Sequence, residues 1–316
     1  MREAVIVSTA RTPIGKAYRG AFNDTTTPTM AAPVLKEAIG RAKVEPGEID
    51  DLIMGAALQE GSQGYNVARQ CGLAAGLPVT VSGQTIDRQC SSGLMSISMA
   101  AKQIVADGMQ TVVAGGLESI SLVQNDHQNE YRNEDTVAIE KAPDLYMAMI
   151  DTAEVVAKRY KVSREAQDEY SLQSQQRTAE AQQAGRFDDE IVAVTVKQRR
   201  KETIVDTDEY PKADSSLEGL GKLRPAFKKD GTVTAANASK LNDGAAALLV
   251  TSSDKAQELG AKPLVRIVSY ASHAQEPDWF TTAPVAAAQK ALAKAELSAD
   301  EIDLWEINEA FAVQVL

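Results

Sequence analysis

Cys90 is the side chain in this sequence best placed to act as a nucleophile. It follows the run Val81-Ser82-Gly83-Gln84-Thr85-Ile86-Asp87-Arg88-Gln89 and precedes Ser91-Ser92-Gly93 and a helical pattern. A cysteine at such a strand-to-helix turn meets free backbone N–H groups and the positive end of a helix dipole, which favour a thiolate. The small residues after it let a substrate carbonyl come close to its backbone N–H, which could serve as half of an oxyanion hole. The alternative for any lone cysteine is a small buried hydrophobe, and this is the reading for Cys71, inside an alanine- and glycine-rich helix. His127 lies in a polar loop and His273 beyond a strand, where a solvent-exposed or hydrogen-bonded structural role fits both. With two cysteines there is no disulfide framework, and no CxxC or histidine spacing suggests zinc, so no metal site is expected. A reducing, cytoplasmic interior fits this usage.

The elements that must position Cys90 read as alternating short strands and helices. Strands are predicted at Val5–Ser8, Leu52–Met54, Val81–Ile86 and Thr111–Gly115, and helices at Thr29–Lys43, Asn66–Ala75 and Ser92–Ala106. This alternation implies crossovers, hence a largely parallel or mixed sheet with helices on its faces. From about Ser121 to Leu241 the texture turns polar, with helices at Thr152–Tyr160 and Ser163–Ala184 and a strand at Ile191–Lys197. Ser163 supplies an N-cap and Gly185 a stop. Strand-like Ala245–Thr251 and Leu264–Ser269 restore the first texture, so the polar stretch reads as an insertion.

Composition is that of a globular protein, 44% hydrophobic, 5% aromatic and 24% charged. No apolar run approaches the ~18 residues that span a bilayer, so no membrane association is expected. The net charge of −11, from 33 basic and 44 acidic side chains, argues against a nucleic-acid-binding role. Arg199-Arg200-Lys201 and Lys228-Lys229 are short basic clusters that suit either the phosphates of a nucleotide-bearing ligand or a solvated loop end.

An internal repeat organises the whole. KEAIGRAKVEPGEID (Lys36–Asp50) and QKALAKAELSADEID (Gln289–Asp303) align at a constant offset of 253, matching Ala38 with Ala291, Ala42 with Ala295, and Glu48-Ile49-Asp50 with Glu301-Ile302-Asp303. A duplication fits this best. The fold would then be two similar halves, the second of which the sequence enters but does not complete, since the counterpart of Cys90 would fall beyond Leu316.

With these residues in view, the stretch DRQCSSGLMSISMAAKQI, followed by AGGLESIS at Ala114–Ser121, resembles the nucleophile segment of the thiolase family. The opening VIVSTARTPIGK, the stretch GTVTAANASKLNDGAAALLV at Gly231–Val250 and NEAFA at Asn308–Ala312 are similar to further thiolase motifs, in the family's order. The resemblance implies an α/β fold of thiolase-like duplicated βαβαβαββ halves in a layered α-β-α-β-α arrangement, with an inserted loop domain and an incomplete second half. Residues 1–120 plus 243–268 would form the N-terminal half, 121–242 the inserted loop domain and 269–316 the start of the C-terminal half. It also implies an acyltransferase that forms or thiolytically cleaves 3-ketoacyl-CoA through an acyl-Cys90 intermediate, with acyl-CoA and coenzyme A as substrates and no separate cofactor. A homodimer or homotetramer is expected, the loop from Asn125 to Asp144 making inter-dimer contacts.

Residue by residue, the resemblance makes Cys90 the acyl carrier and Asn308 the group orienting a water that stabilises the thioester oxygen. Ser239 would bind the pantetheine arm, with Ala235 and Leu241 alongside, while Ala310 and Phe311 shape its channel. Met149 would pack beside the thioester and Phe227 lie on the adenine side. Without the resemblance, Asn308 would be a helix cap, Ser239 a turn residue and Met149 a core side chain. Ala148 stands where the family often has histidine, Ile150 replaces a glycine, and Phe280-Thr281-Thr282-Ala283-Pro284 replaces the MGxGP turn. The GHP and CxGGG motifs lie past the end of the sequence, so impaired activity of the 316-residue chain is expected. A ketoacyl synthase-like enzyme, or a non-catalytic acyl-CoA-binding paralogue, are the other readings.

Overall fold

The structure is a computed structural model that describes residues 2–198, 201–225 and 228–316. Its strands are β1 (Ala4–Arg11), β2 (Gly15–Lys16), β3 (Asp51–Gly55), β4 (Ser82–Ile86), β5 (Thr111–Ser119), β6 (Val194–Gln198), β7 (Lys201–Val205), β8 (Asn242–Ser252) and β9 (Val265–Arg266). Its α-helices are α1 (Thr27–Ala42), α2 (Val67–Ala74), α3 (Ser92–Lys102), α4 (Ile120–Val123), α5 (Thr136–Lys141), α6 (Met149–Tyr160), α7 (Arg164–Gln183), α8 (Leu217–Gly221), α9 (Ser253–Glu258), α10 (Ala283–Ala295) and α11 (Ala312–Val315). The chain forms two compact units. The first comprises Met1–Asn129, Phe187–Tyr210 and Leu241–Ile267; the second comprises Glu130–Arg186, Pro211–Lys240 and Val268–Leu316.

The first unit is built on a mixed sheet in the order β4-β3-β5-β8-β1-β9, with β2 paired to β8. β3 runs parallel to β4 and β5, while β8 runs antiparallel to β5 and β1. Apolar residues on both faces of the central strands explain why they are covered twice. Leu52 and Met54 point into the core shared with Leu35, Ile39 and Cys71 of α1 and α2, whereas Ile53 points the other way, toward Ala100, Ala101 and Ile104. Burying such side chains fully contributes about 1.5–3 kcal/mol each. α1 forms because its apolar residues recur on one stripe, with Leu35, Ala38, Ile39 and Ala42 all buried.

Three predicted elements end differently. The helix expected over Ser92–Ala106 is α-helical only to Lys102 and continues as a π turn over Gln103–Asp107, closed by left-handed Gly108 at φ 80°. The strand expected over Ile191–Lys197 begins at Val194, Ile191 making a single bridge to Arg11. Leu264–Ser269 shrinks to β9, because β1 starts at Ala4 and leaves nothing for residues after Ile267 to pair with.

The second unit carries α6 and α7, whose N-caps differ. Ser163 Oγ accepts from Ala166 N, as a serine N-cap should, while α6 opens at Met149 without a side-chain cap. Ala153, Val156 and Ala157 of α6 pack with Val233, Phe311 and Val313, and Ile150, Ala238, Trp279 and Ala310 lean on that cluster. The Arg159 guanidinium lies 3.8 Å over the Trp279 ring.

The repeat is reproduced in backbone geometry. Lys43 ends α1 at φ 56°, ψ 34°, and Glu296, at the offset position, ends α10 at φ 57°, ψ 36°. Each is followed by a 3₁₀ turn, Pro46–Glu48 and Ala299–Glu301. The closing hydrogen bonds match as well: Val44 N to Ile39 O against Leu297 N to Leu292 O.

No helix among the described residues is long and apolar enough to cross a membrane. Among the same residues no group of three or more His, Cys, Asp or Glu side chains is placed to hold a metal ion.

Candidate functional site

β4 ends at Ile86, and four residues later Cys90 stands exposed just ahead of α3. The turn between them is tight enough to force Gln89 to φ 47°, a left-handed conformation that costs a non-glycine residue about 1–2 kcal/mol. Buried Ser92 holds it closed: its Oγ accepts from Arg88 N at 2.7 Å and donates to Gln89 O at 2.6 Å. Asp87 Oδ1 accepts from Gln89 N at 2.6 Å.

The start of α3 is pressed onto the ends of β3 and β5. A Cβ on Gly55 would lie 2.3 Å from Ser92 C, and one on Gly116 would lie 3.2 Å from Gly93 Cα, so the helix can sit this deep only over glycines. Ser96 Oγ secures the next turn, donating to Gly115 O at 2.7 Å. Cys71 provides the contrast. It is fully buried inside α2, and burial pushes its thiol up to about 12.

Sequence reasoning missed a second feature of this unit. Glu118, within AGGLESIS, is drawn inward: Oε2 accepts from Ala57 N at 2.8 Å and Oε1 from Gln63 Nε2 at 2.5 Å. Gln63 is itself fully buried, its Oε1 accepting from Ser119 N at 2.5 Å. Burial chiefly, with the negative charge of Asp87 adding to it, holds the Glu118 carboxyl above the usual range. The available signal was a lone glutamate at the end of an otherwise apolar strand.

In the second unit the stretch 231–240 is moulded by buried polar side chains. Glu154 Oε1 accepts from Thr232 N and Val233 N, each at 2.8 Å. Asn237 Oδ1 accepts from Thr234 N at 2.7 Å, while its Nδ2 donates to Asp168 Oδ1 at 3.1 Å and Thr232 O at 3.0 Å. Asp168 is also paired with Arg164, at 2.7 Å. The residues after Asn308 dock here: Ser239 N donates to Ala310 O and Ala312 N to Asn237 O, both at 2.9 Å, around an Ala238–Phe311 bridge. Ser239, Ala310 and Phe311 are thereby brought together, with Ala235 exposed in the same stretch. Phe311 is buried, while Ser239 is open to solvent.

The other predicted residues are more scattered. Met149 opens α6 at 36% exposure; its neighbour Ile150, not Met149 itself, joins the Phe311 cluster. Leu241 is half-exposed and belongs to the first unit, where its carbonyl accepts from Ala17 N and Tyr210 Oη. Asn308 is exposed in a stretch without regular secondary structure and is not a helix cap. The helix cannot begin there because Phe311 is held extended, at φ −145°, by its pairing with Ala238, so α11 starts only at Ala312. Phe227, Arg199 and Arg200 lie outside the described residues. Lys228 and Lys229 are exposed in a turn. His127 is exposed, and His273 Nδ1 lies 2.9 Å from Lys290 Nζ.

Set against known proteins, residues 4–254 match the family described as "Thiolase, N-terminal domain" and residues 261–316 match "Thiolase, C-terminal domain". An acetyl-CoA acetyltransferase of Chromobacterium violaceum is 46% identical, over 99% of this chain and 82% of that protein. A 3-ketoacyl-CoA thiolase of Bacillus subtilis is 44% identical, over 100% of this chain and 83% of that protein. The crystal structure of the Bacillus anthracis acetyl-CoA acetyltransferase superposes with a TM-score of 0.90 at 43% identity, covering 100% of this chain and 82% of that one.

Proposed function

The chain belongs to the thiolase family, and from that premise we propose that Cys90 is the residue on which its acyl group is carried. The activity is acyl transfer of the thiolase kind, with acyl-CoA and coenzyme A as substrates. The observation that supports Cys90 is its position: an exposed sulfur on a strained turn, at the head of a helix seated on glycines.

In the first half-reaction the Cys90 thiolate adds to the thioester carbonyl. The oxyanion that forms is met by the backbone N–H of Cys90, and the C–S bond to coenzyme A breaks, releasing its thiolate. In the second, another acyl-CoA gives its α-proton to a base, and the resulting carbanion attacks the acyl-Cys90 carbonyl and expels the Cys90 thiolate, giving 3-ketoacyl-CoA. In reverse, the Cys90 thiolate adds to the 3-keto carbonyl, the C–C bond breaks to an α-carbanion that is protonated to acyl-CoA, and coenzyme A thiolate then takes the acyl group from Cys90. Asn308 orients the water that stabilises the thioester oxygen. Ser239, Ala235, Ala310 and Phe311 serve the pantetheine arm, and Met149, Leu241 and Phe227 are assigned to the acyl-CoA by their motif positions. No separate cofactor takes part, and the working protein is a homodimer or homotetramer.

The test is incubation with acetoacetyl-CoA, read by intact mass after acid quench. An added acetyl group that maps to Cys90 and disappears in Cys90→Ala is expected. Acetylation elsewhere, or non-covalent binding alone, would overturn the assignment.

A further inference from the structure

Asn308 lies in a stretch, from Leu304 onward, that has no regular secondary structure. Its neighbour is nonetheless fixed. Glu309 Oε1 accepts from Tyr170 Oη at 2.6 Å and Oε2 from Ser174 Oγ at 2.7 Å. Tyr170 and Ser174 are one turn apart on α7, so both hydroxyls face the same carboxylate. α7 is in turn tied to the stretch that receives Ala310: Asp168 accepts from Asn237 Nδ2, and Asn237 O accepts from Ala312 N. Glu309 is thus gripped through both carboxylate oxygens on one side, while the next residue is pinned through its carbonyl to Ser239 N on the other.

We propose that Glu309 is a positioning residue: with Tyr170 and Ser174 it forms a clamp that sets the backbone at 308–309 and so aims the Asn308 carboxamide. The inference rests on the role proposed for Asn308 in acyl transfer. Although Glu309 is exposed, a carboxylate that accepts on both oxygens is restrained in its last torsion, and a residue tied through side chain and chain neighbour loses freedom in φ and ψ. Burial first, then the hydrogen bond to Glu309, pushes the Tyr170 hydroxyl up to about 12, so it remains a donor through the neutral range. The carboxylate makes the arrangement sensitive to chemistry as well as to size: a glutamine in its place offers one acceptor oxygen to two hydroxyl donors.

The experiment measures the rate of Cys90 acetylation by quenched intact mass in two backgrounds, native and Asn308→Ala. Glu309→Gln is expected to slow acetylation about ten-fold or more in the native background, since an ångström of misplacement can cost up to about 10²-fold. In the Asn308→Ala background it should change the rate less than about two-fold, because the group being aimed is gone. The concentration of acyl-CoA at half-maximal rate should stay unchanged. Tyr170→Phe should slow the reaction, and Ser174→Thr, which keeps the hydroxyl, should not. Equal slowing in both backgrounds, or none, overturns the clamp. A parallel NMR measurement follows the Asn308 backbone and carboxamide signals: Glu309→Gln should raise their mobility, and unchanged order would reject the clamp even if Cys90 is never acetylated. Absence of acetylation in the unmodified chain would instead count against the Cys90 assignment.

Discussion

The segments 36–50 and 289–303 share a helix end, a left-handed cap, a 3₁₀ turn and matching closing hydrogen bonds, yet they differ in the residues they lead into and in how well they are covered. α1 buries nine residues, and α10 has none that is fully buried. After the first turn the chain enters β3, buried at every position between β4 and β5. After the second, Leu304, Trp305 and Ile307 are exposed by 80%, 46% and 42% and form no strand. Helix, cap and turn are local and repeat with the sequence. A strand exists only where neighbouring backbone completes its hydrogen bonds.

Truncation at matched positions puts the largest load on this contrast. Met54→Ala, in β3 and fully buried, should cost about 2–5 kcal/mol, while Ile307→Ala, its offset counterpart, should stay within about 0.5 kcal/mol. Urea midpoints of the two variants measure it, and equal losses would refute the contrast. One step smaller, Ile39→Ala on α1 should cost about 2 kcal/mol, whereas the matched Leu292→Ala on half-buried α10 should cost about 1 kcal/mol. Smaller again, Lys43→Gly and Glu296→Gly relieve the same left-handed strain and should each stabilise by about 0.5 kcal/mol. Thermal melts giving opposite signs for the pair would show that the caps are not equivalent.

The smallest effect separates the two copies of the Glu-Ile-Asp exit. Both carboxylates sit below their ordinary range, Glu48 mainly through its hydrogen bond to Lys255, at 3.0 Å, and Glu301 mainly through the backbone of Ser298 in a capping box. A carboxyl lowered on folding contributes stability above the ordinary carboxylate range and loses it as pH falls through the folded value. Lys255→Met should therefore return the Glu48 titration toward its ordinary position and leave Glu301 unmoved, as followed by NMR of the side-chain carboxyls. A shift at both, or at neither, would contradict these causes.

Much of the fold was legible because it is set by residues near one another in sequence. Spacing gave α1, Ser163 as the cap of α7, the buried Cys71 and Cys90 at the head of a helix. The repeat could be read because its cap and turn need nothing beyond about fifteen residues. The motifs that resemble thiolases carried the family, now shown by the matches over 4–254 and 261–316.

Other features needed the tertiary structure. That Asn308 stands outside any helix comes from Phe311 pairing with Ala238, 73 positions away in the chain. Gly55 and Gly116 matter because α3 lies against them, a closeness no local pattern records. The partners of Glu118 are 55 and 61 positions distant, and those of Glu309 are 139 and 135. The order of residues alone marked which side chains are candidates for the chemistry and dictated how each short segment bends, since dihedral preference and amphipathic spacing act over a few residues. Which polar groups meet, and which extended stretch becomes a strand, was decided by packing, because those interactions exist only once distant backbone and side chains are brought within hydrogen-bond reach.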